Sequence, residues 1–122
     1  MQLDREPGNG NIIRSFSVGE LHINDTIYTD HVIVSSDVII ENWSPASIME
    51  LSIADLAHAI DVAPELIILG TGATQTFPPG AIMTDIMRQG IGFEVMDTSA
   101  ACRTFNVLTT DRRHVVAALL VR

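Results

Sequence analysis

Apolar and polar positions along this chain change rhythm near its middle. Residues 12–43 alternate over short runs bounded by turn formers, the period of strands with one buried face. Ile12 to Val18 reads as a strand broken at Gly19. Leu21-His22-Ile23 and Thr26-Ile27-Tyr28 flank Asn24-Asp25, a pair suited to a hairpin turn. His31 to Val34 and Val38 to Glu41 follow, separated by Ser35-Ser36-Asp37, and Trp43 precedes Ser44-Pro45, a cap and first helical position.

From Ser52 the rhythm becomes helical. Ser52 with Asp55 three residues on forms a capping-box pattern, and Ile53, Leu56, Ala57 and Ile60 make one apolar stripe that Pro64 ends. Leu66 to Leu69 is an unbroken aliphatic run before Gly70, the pattern of a strand buried on both faces. Pro78-Pro79 opens a second helix with Ile82, Met83, Ile86 and Met87 on one face and Gly90 as its stop. Phe93 to Met96 is the next strand. Asp97 or Thr98 caps a third helix whose core face carries Ala101, Phe105 and Leu108, and His114 to Val121 is a final interior strand. Helix and strand thus alternate through the second half, which builds a mixed or parallel sheet with helices packed on it: an α/β fold. The β-rich first third extends that sheet or forms a small second one. The 122 residues fit one domain over 12–122, behind an N-terminal arm at 1–11.

Charge then narrows the function. The net charge of −8, with no lysine among the seven basic residues, argues against a nucleic-acid backbone or an anionic membrane surface as partner. It also removes lysine Schiff-base and P-loop chemistry. The single Cys102 cannot form an internal disulfide, and it flanks the apolar face of its helix, where a buried, inert thiol is expected. No apolar run reaches the ~18 residues of a membrane span, and the polar start lacks the features of a signal peptide. A cytoplasmic protein is expected.

Candidate chemistry lies where strands end, because open α/β sheets place their crevices there. Gly70-Thr71-Gly72 begins like a dinucleotide fingerprint, but Gln75 stands at its third glycine and the next helix starts late, at Pro78-Pro79. The loop reads either as a tight turn that uses glycine or as a small anion or ligand loop. Asp97-Thr98 reads either as a helix cap or as part of that crevice, although Asp97 would oppose a bound anion. His22, His31, His58 and His114 lack metal-ligand spacing, so no metal and no cofactor is expected. Asp85 and Arg88 read as a solvated helix pair, and Arg103, Arg112 and Arg113 as a local positive patch or dipole-offsetting charges.

Ile68-Leu69-Gly70-Thr71-Gly72, Gly90-Ile91-Gly92-Phe93-Glu94-Val95-Met96-Asp97-Thr98, Ala101-Cys102-Arg103-Thr104-Phe105-Asn106-Val107-Leu108, Arg113 and Ala117-Ala118-Leu119-Leu120, together with Trp43, resemble the Mth-like domain family from Ile12 to Val121. Its members include uncharacterised bacterial and archaeal proteins, the mitochondrial complex I assembly factor 3 and the adipogenesis-associated Mth-like protein. The resemblance implies a three-layer α/β fold with a central mixed sheet and a β-rich addition, and no established enzymatic activity. Its candidate surface is Gly70, Thr71, Gly72, Asp97, Thr98, Asn106 and Arg113. The function expected is non-enzymatic protein binding in the assembly of a larger complex, with a respiratory or other membrane-complex subunit among the possible partners. The alternative is a small-molecule-binding protein or weak enzyme using a crevice at Gly70–Gly72 and Asp97–Thr98. A homo-oligomer is left open.

Overall fold

The computed structural model describes residues 10–122. The arm expected at 1–11 therefore falls largely outside the described residues. Asn11, which is within them, is held by its N–H on the Ser36 carbonyl at 2.7 Å and by its side-chain amide on the Ser35 carbonyl at 2.8 Å.

The first third yields five strands: β1 (Ile13–Ser17), β2 (Glu20–Ile23), β3 (Thr26–Tyr28), β4 (Val32–Val34) and β5 (Ile39–Glu41). Both sequence expectations for this region are met, by different strands. β1, β2 and β3 form an antiparallel three-stranded sheet, while β4 and β5 join the main sheet. Asn24 turns the β2–β3 hairpin at φ +54°, a left-handed conformation that asparagine tolerates.

The second half carries α1 (Ala57–Asp61), β6 (Leu66–Gly70), α2 (Gly80–Arg88), β7 (Gly92–Met96), α3 (Thr98–Thr110) and β8 (Val115–Leu119). The main sheet has the order β5-β4-β8-β6-β7. β8 runs parallel to β6 and antiparallel to β4, and β6 runs parallel to β7, so the sheet is mixed. β6 and β8 are both interior, as their unbroken aliphatic runs predict.

Alternation along these strands fills two cores. Ile67, Leu69, Val116 and Ala118 face Leu56, Ala59, Ile82 and Ile86 on the side of α1 and α2. Ile68, Val115, Ala117 and Leu119 face Ala101, Cys102 and Phe105 of α3 and Leu21 and Ile23 of the small sheet. The result is three layers, with the main sheet in the middle. Each fully buried Leu or Ile here contributes about 1.5–3 kcal/mol.

Several local expectations are corrected. Ser44-Pro45 starts no helix; the Ser44 hydroxyl folds back onto the Asn42 carbonyl at 3.3 Å, and the next helical turn is a short 3₁₀ segment at Ile48–Glu50. The single helix expected after Ser52 is a 3₁₀ turn, Ile53–Leu56, running into α1. The Asp55 carboxylate does accept the Ser52 N–H, at 2.9 Å. The Asp55 carbonyl accepts the Trp43 indole N–H at 2.7 Å, within the 3₁₀ turn that precedes α1. The stripe rotates accordingly, with Ala59 buried and Ala57 exposed. On α2, Ile82 and Ile86 are buried, but Met83 and Met87 are 40% and 57% exposed, so half of that apolar face looks outward. On α3 the buried face is Thr98, Ala101, Cys102, Phe105 and Thr109, with Leu108 only half-buried.

Candidate functional site

β6 and β7 end side by side, Gly70 opposite Met96, so the loops that follow them meet. This is the juxtaposition expected of parallel strands joined by a helical crossover. The structure brings five of the seven candidate residues together here: Gly70, Thr71, Gly72, Asp97 and Thr98.

Their polar groups are largely spent on one another. Gly72 and Thr98 form a reciprocal pair: the Gly72 N–H donates to the Thr98 hydroxyl oxygen at 2.8 Å, and the Thr98 N–H donates to the Gly72 carbonyl at 2.9 Å. The same hydroxyl donates to the Leu120 carbonyl at 2.7 Å, which ties the end of β8 into the junction. Thr98 is fully buried. Thr71 donates its hydroxyl to the Thr74 carbonyl at 2.6 Å and accepts the Thr76 N–H at 3.0 Å, closing the loop on itself. Asp97 is the N-cap of α3, its carboxylate accepting the Ala100 N–H at 2.9 Å.

The glycines have distinct reasons. Gly72 sits at φ +89°, which favours glycine. Gly70 allows close approach of α3: a β-carbon there would lie 2.8 Å from Leu119 Cδ2, 3.0 Å from Thr98 Oγ1 and 3.2 Å from Ala101 Cβ.

Asn106 and Arg113 lie elsewhere. Asn106 is two turns further along α3, where its amide brackets Ile13, accepting the N–H at 3.0 Å and donating to the carbonyl at 2.8 Å. It staples the small sheet to α3. Arg113 lies at the opposite end of the main sheet, before β8, and donates to Glu65, before β6, at 2.8 Å. Although the resemblance puts it on the candidate surface, it does not join the other residues at the Gly70–Thr98 junction. Glu65 also accepts the His114 N–H at 3.1 Å, and that N–H and Arg113 hold its carboxyl below the usual range.

The remaining titratable groups resolve similarly. Asp85 and Arg88 are 3.9 Å apart on the surface of α2, the solvated pair expected. Arg103 donates to the Ser99 hydroxyl at 3.0 Å, and Arg112 takes a left-handed turn conformation at φ +61°. Cys102 is 6% exposed, and burial pushes its thiol up to about 12, so at neutral pH it is protonated and a poor nucleophile. Among the described residues, no three His, Cys, Asp or Glu side chains converge on a point that would hold a metal ion. No helix among them is long and apolar enough to cross a membrane.

Two features escaped the sequence reading. His31 Nδ1 accepts the Val121 N–H at 2.9 Å, fastening the end of the chain to β4, and desolvation lowers the His31 pKa. A lone histidine gives no sequence signal of such a partner 90 residues away. The second is an apolar cleft of about 250 Å³ at the outer edge of the main sheet, lined by Phe77, Pro78, Pro79, Met83, Phe93 and Val95. Of the two unburied methionines of α2, Met83 belongs to it; an aromatic residue directly before Pro78-Pro79 is its one visible sign in the sequence.

The chain is 29% identical over 121 residues to NADH dehydrogenase [ubiquinone] 1 alpha subcomplex assembly factor 3 of Danio rerio, covering 97% of this chain and 68% of that protein. A solution structure from Xanthomonas campestris is 31% identical and superposes with a TM-score of 0.83, covering 99% of this chain and 92% of the other. A Mth938-like domain from Bordetella pertussis shares the fold at a TM-score of 0.81 and 22% identity, covering 99% of this chain and 91% of the other. Residues 13–120 match the family described as protein of unknown function (DUF498/DUF598), and the chain belongs to that family, the Mth-like domain family its motifs resemble.

Proposed function

We propose that this chain is a non-enzymatic, protein-binding assembly factor for a larger complex. Most of the chain aligns with a protein named as a complex I assembly factor. The observation that carries the reading is the reciprocal Gly72–Thr98 pair. At the strand-end junction, where an α/β enzyme would present free donors and acceptors, those groups are already bonded within the protein. Asp97, fixed there as a helix cap, places negative charge against any anionic ligand. The exposed apolar cleft beside β7 is, by contrast, the kind of feature that protein interfaces use.

The experiment is affinity capture of the tagged full chain from its native cells, with mass spectrometry of what is retained. Reproducible recovery of subunits of one complex supports the proposal. Co-purification of a metabolite at stoichiometric level, without a protein partner, supports the small-molecule alternative instead.

A further inference from the structure

β7 is the outer strand of the main sheet, and β6 is its one strand partner among the described residues. The Gly92 N–H donates to the Glu65 carbonyl at 2.9 Å, and the Met96 carbonyl accepts the Thr71 N–H at 2.9 Å. The even-numbered residues of β7 therefore point their peptide groups at β6. Parallel-strand geometry turns those of Phe93 and Val95 the other way, off the sheet edge. The Val95 carbonyl is covered by the Gln75 side-chain amide at 3.0 Å. The Phe93 N–H and carbonyl and the Val95 N–H have no protein partner among the described residues. Natural sheets protect such edges unless they are used.

This edge runs along the apolar cleft. Phe77 is 64% exposed and Met83 40%, and Met87 continues the stripe one turn further along α2. Methionines make such surfaces adaptable to different side chains. On the other face of β7, Glu94 is exposed. The loop 71–79 carries no charge, and the only charges over 89–97 are Glu94 and Asp97, so the edge is net negative.

We propose that the β7 edge and the Phe77–Met83 cleft dock an extended strand of a partner protein, apolar on the face towards α2 and basic on the face towards Glu94. The proposal rests on the protein-binding reading above and names its surface. The unpaired peptide groups select a polypeptide over a lipid or a small apolar molecule, because only a backbone answers donors and acceptors at strand spacing. The acidic flank selects a basic partner. It also disfavours a second copy, since two-fold pairing centred on Glu94 sets like charges directly opposite each other.

The test is an NMR titration of the full chain with the peptide acetyl-Val-Arg-Val-Arg-Val-Thr-amide, next to a version with Glu in place of Arg and two versions N-methylated at alternate residues in either register. The expected result is saturable shifts centred on Phe93, Val95 and Met83. Binding should weaken at least tenfold with the Glu peptide, with one N-methylated register and in Glu94→Lys. Absent or scattered shifts, equal binding by both N-methylated peptides, or no effect of Glu94→Lys would overturn the proposal. So would β7 amides that shift with protein concentration alone, which would assign the edge to self-pairing. In each case partner capture by the wild-type chain still tests the assembly role separately.

Discussion

The Thr98 hydroxyl accepts the Gly72 N–H at 2.8 Å while donating to the Leu120 carbonyl at 2.7 Å, so one buried oxygen joins the ends of β6, α3 and β8. Thr98→Val keeps the shape and removes the oxygen. Two part-buried backbone groups lose their partner, at a cost of about 1–3 kcal/mol in all. Urea unfolding should show this loss, and Thr98→Ser should recover most of it. A valine variant as stable as the parent would show that the hydroxyl is not a strut.

Gly70→Ala should destabilise by about 1–3 kcal/mol, the usual range for an added methyl in a packed site. The added carbon meets Leu119 and Thr98, both fully buried and without room to retreat. Gly72→Ala meets no neighbour, so its cost arises from backbone conformation at φ +89° alone. Thermal unfolding of the two variants separates crowding from strain.

Cys102 should resist alkylation in the native state. Its thiol is buried, and burial pushes its pKa up to about 12, so modification requires opening of the α3 core. The rate with a neutral thiol reagent should rise in parallel with the unfolded fraction as urea is added. Fast native-state labelling would contradict the burial.

Two pH dependences follow from the ion contacts. The His31 pKa lies below its ordinary 6.5, because burial opposes the charge and Nδ1 is occupied as an acceptor. The unfolded chain takes up this proton first, so stability should fall as pH drops below about 6.5 towards the native value. His31→Asn, whose side-chain oxygen can accept the Val121 N–H, should flatten that part of the profile. Glu65 is also lowered, from 4.5, by the His114 N–H and Arg113. Its contribution is present above pH 4.5 and is lost as pH falls through the native value; Glu65→Gln removes it. Urea midpoints measured from pH 8 to pH 3 check both.

The elements after Pro64 were legible because their signals are local: Pro64, Gly70, Pro78-Pro79, Gly90 and Asp97 mark the ends, and aliphatic runs mark the interior strands. The exposure of Met83 and Met87 is not legible, because a 3.6-residue period locates an apolar face without saying what covers it. The Trp43 indole bonds the Asp55 carbonyl where the 3₁₀ turn runs into the first helix, a contact that no local pattern announces. Of the candidate site, five residues meet because strand ends can be read from sequence. Asn106 and Arg113 do not, because their partners, Ile13 and Glu65, are 93 and 48 residues away in the chain.

The central claim, that the chain works by joining a larger protein assembly, is tested most directly by the native size of the endogenous protein in gently lysed cells. The account predicts that a substantial fraction migrates with a complex many times the mass of the 13.3 kDa chain. Migration of all of it at the mass of one or two copies would contradict the account.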